Sequence, residues 1–151
     1  MTTQRTRRGS LATLCCLLIA LAACTARDES AMGQIAAARG NWVVVNYWAE
    51  WCKPCIKEVP ELNALNAHDN VTVLGVNFDG AEEAALAKQV EKLAIDFPTL
   101  PQDPSTPLGI KRPAVLPTTL IITPAGKLTA TLVGPQTLET LLAATVKHAA
   151  G

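Results

Sequence analysis

The sequence predicts an α/β fold, with one mixed β-sheet that carries helices on both of its faces. Two apolar runs show no alternation of polar residues, which is typical of strands buried on both faces, and a helix between them makes them parallel. A turn signal near the carboxyl end predicts an antiparallel hairpin. For this α-β-α-β-α-β-β-α order, one mixed sheet with helices on both faces is the economical arrangement.

The first four elements follow from apolar spacing and from residues that end helices. A short helix is predicted over 31–38 and is stopped by Gly40. The runs at 42–48 and 71–78 are rich in β-branched and aromatic residues and predict the two buried strands. Between them, apolar residues recur every three positions over 53–67, which predicts a helix with one buried side.

The later elements are predicted from caps and turns. Asp79 and Glu82 have the spacing of a capping box and open the next helix. After a proline-rich irregular stretch, strands at 118–123 and 127–133 are separated by Pro-Ala-Gly, a hairpin turn. The last helix is predicted to start at Gly134-Pro135, because proline suits the first helical turn.

The amino terminus has the three-part order of a secretory signal. Three arginines lie within the first ten residues, residues 11–23 carry no charge, and Leu21-Ala22-Ala23-Cys24 closes the segment. The apolar run covers about 20 Å, which is short of the roughly 30 Å hydrocarbon core of a bilayer. The last four residues resemble the lipobox of bacterial lipoproteins, and this implies cleavage before Cys24 and a lipid on its sulfur. The alternative is an ordinary cleaved signal in which Cys24 is incidental.

The expected organisation is therefore a signal peptide over 1–23, a lipid-anchored tether over 24–30 and one domain over 31–151. Export would remove Cys15 and Cys16, and lipidation would occupy Cys24, so two of the five cysteines remain as thiols. A single close pair in an exported protein is not a disulfide scaffold, and we interpret it as a reactive pair.

That pair is Cys52 and Cys55, in the segment Trp51-Cys52-Lys53-Pro54-Cys55 at the junction of the first strand and second helix. Unpaired N–H groups and the helix dipole favour a thiolate at a helix amino terminus, so Cys52 is the expected nucleophile. Cys55, nearly one turn further on, can attack the mixed disulfide formed by Cys52 and release the substrate.

Other chemistries have less support. Thirteen basic and 13 acidic residues balance one another, which is not typical of a nucleic-acid binder. The pair is also compatible with half of a zinc site. The other ligands would have to come from His68 and His148, which lack ligand spacing, so neither a metal nor a cofactor is predicted. Glu58 and Glu61 are interpreted as a solvated helix face.

The segment from Val45 to Cys55 closely resembles the active site of thioredoxins, and more narrowly the exported TlpA/ResA/DsbE branch. Pro60 stands five residues after the second cysteine, like the helix-kinking proline of that family. Leu116-Pro117-Thr118-Thr119 resembles its cis-proline segment, and Val133-Gly134 resembles another family position. The resemblance covers residues 35–148 and implies a thioredoxin-like fold.

The resemblance also implies roles for individual residues. Leu116–Pro117 would be a cis peptide beside the sulfurs, with the Leu116 backbone pairing with an extended substrate. Trp51 would border the substrate. Asp79 is a candidate proton carrier, in addition to its predicted role as a helix cap. Asn46 departs from cytosolic thioredoxins, where an aspartate occupies this position, and agrees with the exported branch.

The functional hypothesis is a periplasm-facing lipoprotein, anchored to a bacterial membrane, that exchanges dithiol for disulfide with exported proteins. The resemblance suggests a reductase of disulfides such as those of apocytochrome c, recharged by a membrane thiol–disulfide electron donor. One alternative is a disulfide-forming oxidant, because the direction of electron flow follows the reduction potential of the pair. A second alternative is a Cu(I) metallochaperone, because two thiolates suit a soft ion.

Overall fold

The structure is a computed structural model that describes residues 28–146 of the chain. The predicted signal peptide and Cys24 lie outside these residues. Among the described residues, no helix is both long enough and apolar enough to cross a bilayer. The helices and strands are α1 (Ala31–Ala37), β1 (Trp42–Trp48), α2 (Lys53–Asn66), β2 (Val71–Asn77), α3 (Glu83–Lys92), β3 (Thr118–Ile122), β4 (Leu128–Val133) and α4 (Leu138–Val146).

The four strands form one mixed sheet with the order β2-β1-β3-β4. β1 and β2 are parallel, and their register runs from Trp42 opposite Val71 to Trp48 opposite Asn77. β3 is antiparallel to both β1 and β4. The predicted fold class is confirmed, and β1 lies inside the sheet, as its unbroken apolar run indicated.

Alternate residues of β1 point into two separate hydrophobic cores. Val44 and Trp48 contact the core that contains residues of α2 and α4. Val43, Val45 and Tyr47 contact the core that contains residues of α1. We call these sides of the sheet the α2 face and the α1 face. Because successive side chains of β1 point to opposite faces, each face of the sheet has an apolar surface against which helices pack. α2 is the element that follows β1 along the chain.

The predicted capping box of Asp79 and Glu82 is wrong. α3 begins at Glu83, and Glu82 occupies the N-cap position without a side-chain hydrogen bond. Gly80 has a φ of 68°, in the left-handed region, so the chain turns between β2 and α3. A right-handed helix cannot continue back through that turn to Asp79.

The last helix also begins later than predicted. α4 starts at Leu138, three residues after Pro135. Gly134 has a φ of 88°, and its N–H donates to the carbonyl of Pro117 at 2.9 Å. The residues before α4 therefore form a turn after β4, and a hydrogen bond joins this turn to the residue before β3.

Candidate active site

The two cysteines lie where β1 gives way to α2. They form a disulfide with 5.2 Å between their Cα atoms. Cys52 is 4% exposed and Cys55 is 2% exposed, so burial alone does not tell their roles apart. What distinguishes them is position, because Cys52 precedes the helix and Cys55 lies within its first turn.

Cys52 is the N-cap residue of α2. Its Sγ accepts a hydrogen bond from the backbone N–H of Cys55 at 3.2 Å. Pro54, in the first turn, has no N–H that would need a partner. The sulfur of Cys52 therefore faces the donors and the positive dipole end of the helix, where a thiolate is stabilised.

A second segment borders the pair at the start of β3. The Leu116–Pro117 peptide bond is cis, and Pro117 is buried. Leu116 packs against the hydrophobic core that includes both cysteines. Outside the ladders of the sheet, no hydrogen bond among residues 28–146 uses the backbone of Leu116.

Glu58 lies on α2 one turn beyond Cys55 and is 1% exposed, so its interpretation as part of a solvated face is wrong. Its Oε2 accepts from Asn46 Nδ2 at 3.1 Å, and its Oε1 accepts from the Gln136 N–H at 2.9 Å. Burial raises the pKa of Glu58 to about 7, although both hydrogen bonds oppose that shift. A carboxyl that gains and loses a proton near neutrality thus lies beneath the cysteine pair.

The spacing of Glu58 was the available signal for this burial. It stands three residues after Cys55 and four before Leu62, and both of those residues are buried on the same stripe of α2. Its backbone partner, Gln136, is 78 positions away along the chain. Local sequence does not reveal such a partner.

Glu61 also binds the segment at the start of α4. Its Oε2 accepts from the Leu138 N–H at 2.7 Å. Together with the contact of Glu58, this hydrogen bond satisfies amide groups near the amino end of α4. The two carboxylates therefore connect the cysteine-bearing helix to the turn that follows β4.

Asp79 contacts the residue that precedes the nucleophile. Its Oδ2 accepts from Trp51 Nε1 at 2.9 Å, and the Trp51 side chain is 64% exposed. Trp48, by contrast, is 1% exposed and packs in the core on the α2 face. Asp79 thus holds an exposed indole beside the cysteine pair.

Large exposed apolar side chains surround this end of the sheet. Among the described residues they are Trp51, Ile56, Val115 and Val133. The first two flank the cysteines directly, and the last two adjoin the segments that meet at Pro117.

An ion pair secures the loop that leads to this segment. Arg112 Nε donates to Asp103 Oδ2 at 2.7 Å, and Tyr47 Oη donates to Asp103 Oδ1 at 2.8 Å. Burial works against ionisation of Asp103, but its hydrogen bonds outweigh burial and lower its pKa. The pKa of Tyr47 is raised, first by burial and second by the hydrogen bond to Asp103 and the negative charge of that residue. The sequence interpretation did not include this network.

The described residues contain no group of three His, Cys, Asp or Glu side chains that could hold a metal ion. His68 is exposed beyond the end of α2 and belongs to no such group. Cys52 and Cys55 are joined to each other in a disulfide.

Comparison with known proteins agrees with this geometry. The pattern of the AhpC/TSA family matches residues 22–131. The thiol-disulfide oxidoreductase ResA of Bacillus cereus is 31% identical over 106 residues, which cover 68% of this chain and 61% of that protein. The thiol:disulfide interchange protein HelX of Rhodobacter capsulatus is 31% identical over 103 residues, which cover 68% of this chain and 57% of that protein. The chain thus spans about three-fifths of the length of these relatives.

A solved structure shares the fold. The crystal structure of a DsbF homologue from Corynebacterium diphtheriae superposes with a TM-score of 0.62 at 27% identity. The superposition covers 72% of this chain and 73% of that protein. The architecture is thus thioredoxin-like, as the sequence resemblance implied.

Proposed function

Because the chain belongs to the AhpC/TSA family and has a cysteine pair at a helix amino terminus, we propose that it is a thiol–disulfide oxidoreductase. The observation that carries this proposal is the hydrogen bond from the Cys55 N–H to Cys52 Sγ at 3.2 Å. It supports the assignment of Cys52 as the sulfur that the helix end activates and of Cys55 as its resolving partner. The names of the relatives ResA and HelX support the same activity.

In the reductive direction, the Cys52 thiolate attacks one sulfur of a substrate disulfide. A Cys52–substrate disulfide forms, the substrate S–S bond breaks, and the released sulfur takes the electron pair and a proton from water. Cys55 then loses its proton and attacks Cys52 Sγ. The second substrate sulfur leaves with its electron pair and is protonated, so two electrons have passed and the protein pair is oxidised.

Glu58 is the carboxyl that we assign to the proton of Cys55. It lies one helical turn from that cysteine, and its pKa of about 7 lets it accept and return a proton near neutral pH. Asp79, the candidate from the sequence, is assigned instead to the position of Trp51, because its carboxylate is engaged by the exposed indole.

The substrates that fit this site are polypeptides. Trp51, Ile56, Val115 and Val133 offer apolar contact around the buried pair. The Leu116 backbone is available to pair with an extended segment, in the manner of an added strand.

We further propose that the protein works outside the cytoplasm, anchored through lipid on Cys24 and facing the periplasm. Support comes from the signal-like order of residues 1–23 and from the lipobox resemblance. In that setting it would reduce disulfides of exported proteins, such as those of apocytochrome c. A membrane dithiol donor would return two electrons to the Cys52–Cys55 disulfide after each cycle.

The reduction potential tests the direction of electron flow. Oxidised and reduced protein are equilibrated with dithiothreitol or glutathione buffers, and the fraction of free Cys52 and Cys55 is counted by alkylation and mass spectrometry. A reductase is expected to lie near thioredoxin, at about −270 mV. A value near −120 mV, at the strongly oxidising end of the known range, would contradict the reductase and favour the oxidant.

A further inference from the structure

A small cavity on the α1 face adjoins the segment that leads to Pro117 and has no part in the chemistry described above. Its volume is about 170 Å³. The lining combines side chains of β3 and β4 with the segment that leads to Pro117: Ile110, Lys111, Pro113, Ala114, Val115, Thr118, Leu120, Thr131 and Val133.

The cavity exists because part of the α1 face is uncovered. Thr118 pairs with Val133, and Leu120 pairs with Thr131, in the antiparallel register of β3 and β4. Directly paired residues project to the same face, and Leu120 belongs to the core on the α1 face. No residue of α1 lines the cavity, so at this end of the sheet the loop segment is its only wall above the strands.

The cavity is continuous with the proposed substrate surface. Val115, on its rim, lies two residues before Pro117 and is 54% exposed. Val133, also on the rim, is 61% exposed and precedes Gly134, whose N–H binds the carbonyl of Pro117. A substrate segment that pairs with the Leu116 backbone therefore lies one residue along the chain from Val115 on the rim.

The size of the cavity restricts its occupant. Cofactors and small-molecule ligands occupy pockets of roughly 300–1,000 Å³, well above the 170 Å³ present here. An apolar cavity of about 150 Å³ holds one benzene ring. The available volume therefore matches one large apolar side chain.

We propose that this cavity receives one large apolar side chain of the substrate polypeptide while a nearby substrate cysteine reacts at Cys52. The inference rests on the proposed oxidoreductase function and adds a sequence preference to it. Substrates with phenylalanine, leucine or methionine a few residues from the reactive cysteine are selected over those with alanine at the same position.

A positive charge at the rim adds a second preference, which concerns the charge of the substrate residue next to the inserted side chain. Lys111 is the one charged residue of the lining, and it belongs to neither of the two ion pairs found among residues 28–146. A carboxylate next to the inserted side chain is favoured by Lys111, whereas a substrate lysine there is disfavoured by like charge.

A peptide series tests the proposal on the purified, reduced protein. Each peptide carries one cysteine, blocked as a mixed disulfide with glutathione, in a glycine- and serine-rich background. Phenylalanine or alanine is placed at each position from two to five residues on either side of the cysteine. The second-order rate constant for the single turnover with each peptide is divided by that of the same sample with oxidised glutathione, which cancels changes in the dithiol itself.

Two variants alter the cavity. Thr131→Phe fills it from an exposed position of β4, and Val115→Ser removes an apolar part of the rim. The matched control is Thr106→Phe, the same substitution at an exposed loop position outside the lining. If one cavity variant fails to fold, the other still tests the site.

Phenylalanine at one or two adjacent positions is expected to raise the normalised second-order rate constant about tenfold over alanine. Thr131→Phe and Val115→Ser should lose that preference, and Thr106→Phe should keep it. Equal rates for the two peptides at every position, or a preference that persists in both cavity variants, would overturn the inference and leave the oxidoreductase proposal intact. Failure of the wild type to react with any peptide, despite reaction with oxidised glutathione, would overturn the inference and also the proposal that the substrates are polypeptides.

Discussion

Glu58 combines a buried carboxyl with a position one turn from the resolving cysteine. Its ordinary pKa is 4.5, and burial raises it to about 7 in the folded protein. A raised folded pKa means that the folded state holds the proton more tightly than the unfolded state. The contribution to stability is fully present below about pH 4.5 and is lost as pH rises to about 7.

Glu58→Gln keeps the shape of the protonated side chain and removes its titration. The free energy of unfolding of the oxidised wild type should therefore fall, relative to Glu58→Gln, between about pH 4.5 and pH 7, by at most about 3 kcal/mol. Urea unfolding midpoints across that range provide the measurement. Neither Cys52 nor Cys55 titrates in the oxidised protein, and the histidines are common to both proteins. Parallel curves for the two proteins would show that Glu58 does not hold a shifted proton.

The carboxylate of Asp79, unlike that of Glu58, binds an exposed side chain, because it accepts a hydrogen bond from the indole of Trp51. Asp79→Ala removes the acceptor for the indole N–H, so Trp51 should become more mobile and its fluorescence more accessible to acrylamide. Asp79→Asn retains an acceptor oxygen and should preserve most of the wild-type quenching.

The control for Asp79 uses the Trp51→Phe background, in which Asp79→Ala should no longer alter quenching because only Trp42 and Trp48 remain. The assignment of protons to Glu58 also predicts that the pH profile of exchange is the same in Asp79→Asn as in the wild type. A displaced profile would return the proton role to Asp79.

Some of these residues were predictable from the sequence and others were not. The spacing of Cys52 and Cys55 and their place before a helix are local features, and the segment around Pro117 was recognised by resemblance. The spacing of Glu58 on α2 indicated its burial, whereas its hydrogen-bond partner Gln136, 78 positions away, could not be found from a local pattern.

At the scale of elements, β2 depends on a glycine that its apolar pattern does not explain. A Cβ on Gly75 would lie 2.8 Å from Trp48 Nε1 and 3.2 Å from both Phe97 and Thr99. Gly75 also pairs with the segment at Thr99 along the outer edge of β2. The close packing of Trp48, Phe97 and Thr99 around this position therefore leaves no room for a side chain.

Gly75→Ala should lower the free energy of unfolding by about 1–3 kcal/mol, because the added methyl group overlaps Trp48. Urea denaturation of the oxidised protein measures the change. Trp48→Phe removes the overlapping nitrogen, so adding Gly75→Ala to Trp48→Phe should cost less than adding it to the wild type. An equal cost in both backgrounds would show that Trp48 is not the obstruction.

Strands were predicted more accurately than helix starts, for a physical reason. The run of β1 is apolar because both of its faces are buried, so its composition records its place in the sheet. The starts of α3 and α4 are set by the left-handed turns at Gly80 and Gly134. The presence of a glycine in the sequence does not show whether its φ is positive.

At the scale of the whole molecule, three segments from distant parts of the chain meet at one end of the sheet. The amino end of α2 supplies the cysteines, the segment before β3 supplies Pro117, and the turn after β4 binds both through Gly134 and Gln136. The sequence predicted each segment, whereas the hydrogen bonds that join them became visible in the structure.

Trapping of the mixed disulfide shows which cysteine attacks the substrate and which one resolves. Reduced Cys55→Ser and reduced Cys52→Ser are each mixed with a peptide that contains one intramolecular disulfide, and intact masses are recorded. Cys55→Ser should accumulate an adduct with the mass of protein plus peptide, which dithiothreitol reverses. Cys52→Ser should accumulate little, and the wild type should release reduced peptide. Equal adducts in the two variants, or adducts in Cys52→Ser alone, would contradict the assignment.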